Sequence, residues 1–211
     1  MKKMKNIAIT QRLTKNRNYY EIRDALDIRW ADLCKNLDYI PILLPTNYDF
    51  VKYFETIKID GIILSGGNDL GCLVNDDISR KRDVFEKKLI EFAIHENIPI
   101  LGVCRGMQVI ADYFNGEFKK VDGHVGVNHR IIISDESNFK EHLKKLDYVN
   151  SYHNYGIIKI SKNFIASARC EDGVIEAMEN NKLNIFCQMW HSERQIPFKD
   201  NELMIIKKLF G

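Results

Sequence analysis

The sequence predicts an α/β sandwich, with a mainly parallel central sheet between helices and an antiparallel extension in its second half. Three observations predict this. In the first half, the Ile/Leu/Val-rich runs at 6–10, 39–44, 61–64 and 98–103 have strand length and are almost continuously apolar, as strands covered on both faces are. Helical spacing fills the gaps between them, and strand–helix–strand alternation implies right-handed crossovers and parallel strands. In the second half, shorter strand-like runs follow one another, separated by turn signals such as Glu171-Asp172-Gly173.

The elements follow in order. The first strand is expected at 6–10. Leu26, Trp30, Leu33 and Leu37 step by four, three and four residues and mark a helix. Strands at 39–44 and 61–64 precede a second stripe, Phe85, Leu89 and Phe92, that starts after Asp83. A strand at 98–103 runs directly into a helix marked by Met107, Ile110, Ala111 and Phe114. Strands are then expected at 127–134, 149–152, 165–170, 174–179 and 185–189, with a closing helix at 200–210 whose Leu203, Ile206 and Phe210 share a face.

Composition excludes several classes. With 211 residues, 45% hydrophobic and 28% charged, the chain can bury a real core, and 4 Pro and 12 Gly exclude collagenous or disordered character. No repeat or linker divides it, so residues 1–211 read as a single domain. A net charge of +2, from 31 basic and 29 acidic residues, argues against nucleic-acid or membrane attraction. The cysteines, Cys34, Cys72, Cys104, Cys170 and Cys187, are odd in number and far apart, which disfavours a disulfide framework or zinc ribbon. The basic start, Met1-Lys2-Lys3-Met4-Lys5, is followed by too short an apolar stretch for a leader, and no run approaches bilayer length. A cytoplasmic protein is expected.

The chemistry centres on Gly102-Val103-Cys104-Arg105-Gly106, which joins a strand to a helix. This is a nucleophile elbow with sulfur in place of oxygen, and the helix N-terminus favours the thiolate. A cysteine nucleophile needs a base, and the base needs an orienter. Trp190-His191-Ser192-Glu193 supplies both: at a strand end, residues two apart point the same way, so Glu193 can fix the tautomer of His191. For the oxyanion, the backbone N–H of Arg105 is one donor and that of Gly67, in Ser65-Gly66-Gly67-Asn68-Asp69, the second. No metal or organic cofactor is expected, since the sequence shows no clustered His/Cys/carboxylate set, Walker loop or dinucleotide fingerprint.

Together with Arg82-Asp83-Val84-Phe85-Glu86, Asn150-Ser151-Tyr152-His153 and Glu171-Asp172-Gly173-Val174-Ile175-Glu176, these segments resemble the ordered landmarks of class I glutamine amidotransferase domains. The resemblance is strongest to the γ-glutamyl hydrolase branch, which includes γ-glutamyl-γ-aminobutyrate hydrolases. It implies a class I glutamine amidotransferase-like, flavodoxin-like three-layer sandwich. It also implies a hydrolase that attacks a γ-glutamyl amide, forms a thioester at Cys104 and releases glutamate. On the same ground Gln108 contacts the glutamyl group, and Ser151, Tyr152 and His153 face the substrate's amino and carboxylate end. Ser192 departs from the proline usual between the catalytic His and Glu, and Met189 from a common Gln. His124 and His129 echo an amidotransferase segment and are read as structural.

The leaving group is a separate question. Residues 11–18 carry three cations, Arg12, Lys15 and Arg17, and no acid, and by the carboxyl-edge rule this loop overhangs the site and suits an anionic group. With residues 23–30, the N-terminal region resembles the hydrolase subgroup of capsule phosphoramidate synthesis, whose substrate is a γ-glutamyl-CDP-amidate. The expected partner is therefore a small-molecule γ-glutamyl substrate, with no obligate protein partner. Two other readings are a glutaminase subunit that feeds ammonia to a synthase and a non-catalytic thiol sensor.

Overall fold

The structure, a computed structural model, describes residues 4–211; residues 1–3 of the basic start lie outside the described residues. Strand β1 (Lys5–Ile9) leads into a hairpin of β2 (Arg12–Lys15) and β3 (Ile22–Ala25). Helix α1 (Arg29–Leu37) precedes β4 (Tyr39–Leu43), α2 (Val51–Thr56) precedes β5 (Gly61–Leu64), and α3 (Gly71–Val74) with α4 (Asp77–His95) precedes β6 (Ile100–Val103). After α5 (Arg105–Tyr113) come β7 (Glu117–Lys120), β8 (Val125–Arg130), β9 (Ile132–Ile133), α6 (Lys140–Leu143) and β10 (Tyr148–Tyr152). The chain closes through β11 (Tyr155–Lys159), β12 (Ile165–Arg169), β13 (Ile175–Asn180), β14 (Ile185–Gln188) and α7 (Asp200–Phe210).

The central sheet has the order β4-β1-β5-β6-β14-β13-β11-β7, with β12 on β13 and β9 on β12. Strands from β4 through β14 pair in parallel, and the pairings beyond β14 are antiparallel. Strand alternation divides the core in two. Ile7, Ile9, Ile63, Leu101 and Val103 face α1 and α7 through Trp30, Leu33, Leu37, Ile205, Ile206 and Phe210. Ala8, Ile62, Leu64 and Ile100 face α4 and α5 through Phe85, Leu89, Ile90, Met107 and Ile110. The result is three layers.

This order sets β5, β6 and β14 side by side, so their carboxyl ends deliver the glycine loop, Cys104 and His191 to one edge.

Several elements differ from the sequence reading. Residues 11–18 are not a simple loop: Arg12–Lys15 is a strand paired with Ile22–Ala25. Helix α1 begins at Arg29, beyond Leu26, because Asp27 Oδ1 accepts from the Arg29 N–H at 3.0 Å and turns the chain there. Helix α4 starts at Asp77, six residues before Asp83, with Asp76 accepting from the Ser79 N–H at 2.8 Å as its cap. Its first turns bury charged residues, Arg82, Asp83 and Glu86, which a hydrophobic pattern does not reveal. The run 127–134 divides into β8, which pairs with β10 in a separate ribbon, and β9, which pairs with β12. Strands β7 and β11 lie outside the runs read from sequence.

Candidate active site

Cys104 sits between β6 and α5 with φ 53° and ψ −107°, a conformation L-residues rarely adopt. Close packing enforces it. A Cβ on Gly106 would lie 1.9 Å from the Leu64 carbonyl oxygen, and one on Gly102 would lie 2.9 Å from Gly106 backbone atoms. Both glycines therefore let strand and helix approach closely enough to project the thiol at the sheet edge.

His191 follows β14 and its ring faces Cys104, close enough for each to shift the other's pKa. Its Nδ1 lies 2.6 Å from Glu193 Oε1, and both side chains are buried. A carboxylate only accepts, so Nδ1 carries the proton and Nε2 is left for the thiol. Asn150 clamps the histidine backbone from both sides, accepting from the His191 N–H at 2.8 Å and donating to its carbonyl at 2.9 Å. Burial works against a charged ring, but Cys104 and Glu193 outweigh it and raise the His191 pKa to about 9. Burial likewise pushes the Cys104 thiol up, and the charge and hydrogen bond of His191 outweigh it and hold the thiol below its ordinary value. The two groups favour a thiolate–imidazolium pair.

The glycine loop is held from behind. Arg82, fully buried, donates to the carbonyls of Ser65 at 2.7 Å, Gly66 at 3.1 Å and Gly67 at 2.7 Å. Its Nε reaches Glu86 at 3.0 Å, and Glu86 also accepts from Thr10 at 2.6 Å and from Arg105, whose guanidinium pairs in turn with Asp83. Burial opposes ionisation of Glu86, but Arg105 and Arg82 outweigh it and keep its carboxyl below the usual range. With the loop carbonyls turned toward Arg82, the peptide groups of Gly66 and Gly67 are fixed beside Cys104. The Arg105 N–H, first in α5, lies outside the intrahelical ladder.

A cleft of about 320 Å³ opens beside this centre, lined in part by Arg12, Thr14, Gly67, His191, Glu193 and Arg194. Arg12 reaches within 3.1 Å of the position a Cβ on Gly67 would take. Lys15 and Arg17 are exposed and do not line the cleft: Lys15 points to the other face of the hairpin from Arg12 and Thr14, and Arg17 lies in the turn. Arg194 stacks over the Tyr152 ring at 4.7 Å, and that ring meets His191 edge-on at 5.8 Å. Gln108 donates to the Tyr155 carbonyl at 2.8 Å, and Ser151 Oγ to the His124 carbonyl at 2.7 Å. The sequence reading missed Asn150, Arg194 and the clamp role of Arg82. Asn150 stands within one legible motif and Arg194 directly follows another, whereas the role of Arg82 depends on the packing of α4 against the glycine loop.

The expectation that metal-ligating side chains are not clustered does not hold. His124, His129, His153 and Glu176 bring one donor atom each within 4.8 Å of the others. They come from three separate stretches of sequence, and the ribbon β8–β10 together with β13 assembles them.

Fold and site together define a cysteine-dependent amide hydrolase on a three-layer α/β sandwich. The chain belongs to the Peptidase C26 family, a class I glutamine amidotransferase-like family whose model matches residues 6–193. It is 38% identical over 210 residues to the γ-glutamyl-CDP-amidate hydrolase of Campylobacter jejuni, covering 97% of each chain. It is 30% identical over 187 residues to a glutamine amidotransferase-like protein of Lactococcus lactis, covering 78% of each. Among solved structures, a GMP synthase component from Thermoplasma acidophilum superposes with a TM-score of 0.74 at 19% identity, over 100% of this chain and 94% of that one. A glutamine amidotransferase of Thermotoga maritima gives 0.67 at 13% identity, over 98% and 84%. No helix among the described residues is long and apolar enough to cross a membrane.

Proposed function

We propose that this chain hydrolyses a γ-glutamyl amide whose leaving group is a nucleotide amidate, of the γ-glutamyl-CDP-amidate type, in capsular polysaccharide modification. The observation that carries the chemistry is the strained Cys104 elbow beside a buried His191 whose Nδ1 is 2.6 Å from Glu193.

The thiolate of Cys104 attacks the γ-carbonyl carbon, and the backbone N–H groups of Gly67 and Arg105 stabilise the oxyanion. His191, protonated in the resting pair, gives its proton to the departing nitrogen as the thioester forms. It then takes a proton from water, which attacks the thioester and returns the thiol and glutamate. Glu193 holds the ring and its charge throughout. Gln108, Ser151, Tyr152 and His153 shape the glutamyl side, where Gln108 acts through the Tyr155 carbonyl and Ser151 through the His124 carbonyl. Tyr152 is the member of this set that stands exposed beside His191.

The leaving-group assignment rests on the 38% identity to the Campylobacter jejuni enzyme across 97% of both chains and on Arg12 in the cleft. Residues 1–211 act as one domain, in the cytoplasm, on a small molecule and without an obligate protein partner.

The test is glutamate release measured across γ-glutamyl amides with neutral, carboxylate and nucleotide leaving groups, alongside glutamine. The nucleotide amidate should give the highest kcat/KM. Glutamine as the best substrate, turned over only with a synthase present, would make the chain an ammonia-donating component instead.

A further inference from the structure

We infer that His124, His129, His153 and Glu176 form a binding site for a divalent cation of the zinc type. Glu176 is fully buried on β13, and neither of its carboxylate oxygens has a hydrogen-bond partner among the described residues. A buried carboxylate left in this way is strongly unfavourable unless a cation meets it.

The hydrogen bonds around the two nearest histidines show where such a cation sits. His153 Nδ1 lies 3.1 Å from the Tyr155 carbonyl oxygen, which can only accept, so the proton of the neutral ring is on Nδ1 and Nε2 bears a lone pair. His124 Nε2 lies 3.1 Å from Asp172 Oδ2, so its neutral ring carries the proton on Nε2 and leaves a lone pair on Nδ1. These two lone-pair nitrogens face one another at 3.4 Å. Glu176 Oε1 completes the triangle, 3.7 Å from His124 Nδ1 and 3.5 Å from His153 Nε2.

With both rings neutral, the three atoms are acceptors turned toward a common point, and they repel one another unless something positive lies between them. A shared proton would draw one pair to about 2.7–2.9 Å, shorter than any of the three separations. Zinc with bonds of about 2.0–2.1 Å sets tetrahedral ligands roughly 3.4 Å apart, which the triangle matches closely. His129 supplies the fourth corner: its Nε2 is buried without a partner, and its ring centroid is 4.2 Å from that of His124.

The surroundings fit a metal site as well. Asp172 on His124 and the Tyr155 carbonyl on His153 are the outer partners that hold a metal-binding imidazole in orientation. The site binds His124, at the start of the ribbon, and His129 on β8 to His153 after β10 and Glu176 on β13, so the ion staples the β8–β10 ribbon to the main sheet. An open cleft of about 500 Å³ beside His124, His129 and Asp172 provides a way in.

Zinc content and affinity of the untagged full-length chain test this directly, by elemental analysis and by competition with a chromophoric chelator. The expected result is one zinc per chain, bound at least a hundredfold more weakly by His124→Ala and Glu176→Gln and about tenfold more weakly by Asp172→Asn. Cys104→Ser should bind as wild type does. Cobalt in place of zinc should give tetrahedral ligand-field bands without a thiolate charge-transfer band, and zinc should raise the melting temperature of wild type but not of Glu176→Gln. A wild-type chain that takes up no zinc at micromolar concentration, or a cobalt spectrum showing thiolate ligation, would overturn the inference. These readouts stand apart from the amide-hydrolase activity, so failure here leaves that reading untouched.

Discussion

Arg82 donates from Nη1 to the carbonyl oxygen of Gly67 at 2.7 Å, from a side chain wholly removed from solvent. The same Nη1 donates to the Gly66 carbonyl at 3.1 Å, which shares its peptide plane with the Gly67 N–H, so the buried Arg82–Glu86 ion pair constrains that peptide group. Arg82→Lys keeps a charge but loses the fork that spans the three loop carbonyls. It should lower kcat about a hundredfold with little change in KM, the pattern of a lost oxyanion donor. Arg82→Ala should in addition destabilise the fold by about 3–5 kcal/mol, because Glu86 loses one of its two buried cations. Steady-state kinetics and denaturant unfolding separate the two effects.

Cys104→Ala should abolish glutamate release and prevent trapping of a glutamyl thioester on the peptide that carries residue 104. The φ of 53° adds a stability signature. Glycine normally costs stability relative to alanine, but here Cys104→Gly should be more stable than Cys104→Ala by about 1 kcal/mol, since only glycine takes this conformation without strain. Equal stability of the two variants would show that the elbow is not strained.

The pH dependence follows from the coupled pair. His191 stays protonated up to about 9, so kcat/KM should fall as pH rises through that value and the leaving nitrogen loses its proton donor. The acid limb marks protonation of Cys104, below the ordinary thiol value. Because Glu193 helps to raise the His191 pKa, Glu193→Gln should move the alkaline limb to lower pH. His191→Asn should be nearly as damaging as loss of the nucleophile.

Substrate choice should depend on one cation of the N-terminal hairpin. Arg12→Ala is expected to cost about tenfold or more in kcat/KM for the nucleotide amidate and little for a neutral γ-glutamyl amide. Lys15→Ala and Arg17→Ala should leave both nearly unchanged, as neither side chain lines the cleft. Comparable losses from all three would point to a diffuse field instead of a contact, and added salt would then erode them together.

Gly66→Ala separates space from backbone conformation. Its φ is ordinary, but the new methyl would lie 2.7 Å from His191 Cε1 and 3.5 Å from the Cys104 Cβ. Activity should collapse while the melting temperature changes little. Gly106→Ala should fail to fold stably, since its Cβ meets backbone at 1.9 Å.

The parallel half of the fold and the elbow were legible because their signals are local. Apolar runs at 61–64 and 98–103 mark strands, Gly102 and Gly106 bracket the cysteine, and the two-residue spacing of His191 and Glu193 suffices for the contact that forms. Charged residues hid the start of α4, since Arg82, Asp83 and Glu86 are buried through one another and not through an apolar face. The division of 127–134 was equally hidden, because β8 and β9 choose different partners, β10 and β12, from elsewhere in the chain. The sequence by itself determined the apolar runs that become the parallel strands, the elbow around Cys104 and the spacing that lets Glu193 meet His191, each set by neighbours within a few residues. Only the tertiary structure decided which of Arg12, Lys15 and Arg17 enters the cleft, what holds the glycine loop, and that His124, His129, His153 and Glu176 meet. Those relationships depend on strand register and on packing between distant segments, which no local pattern of residues encodes.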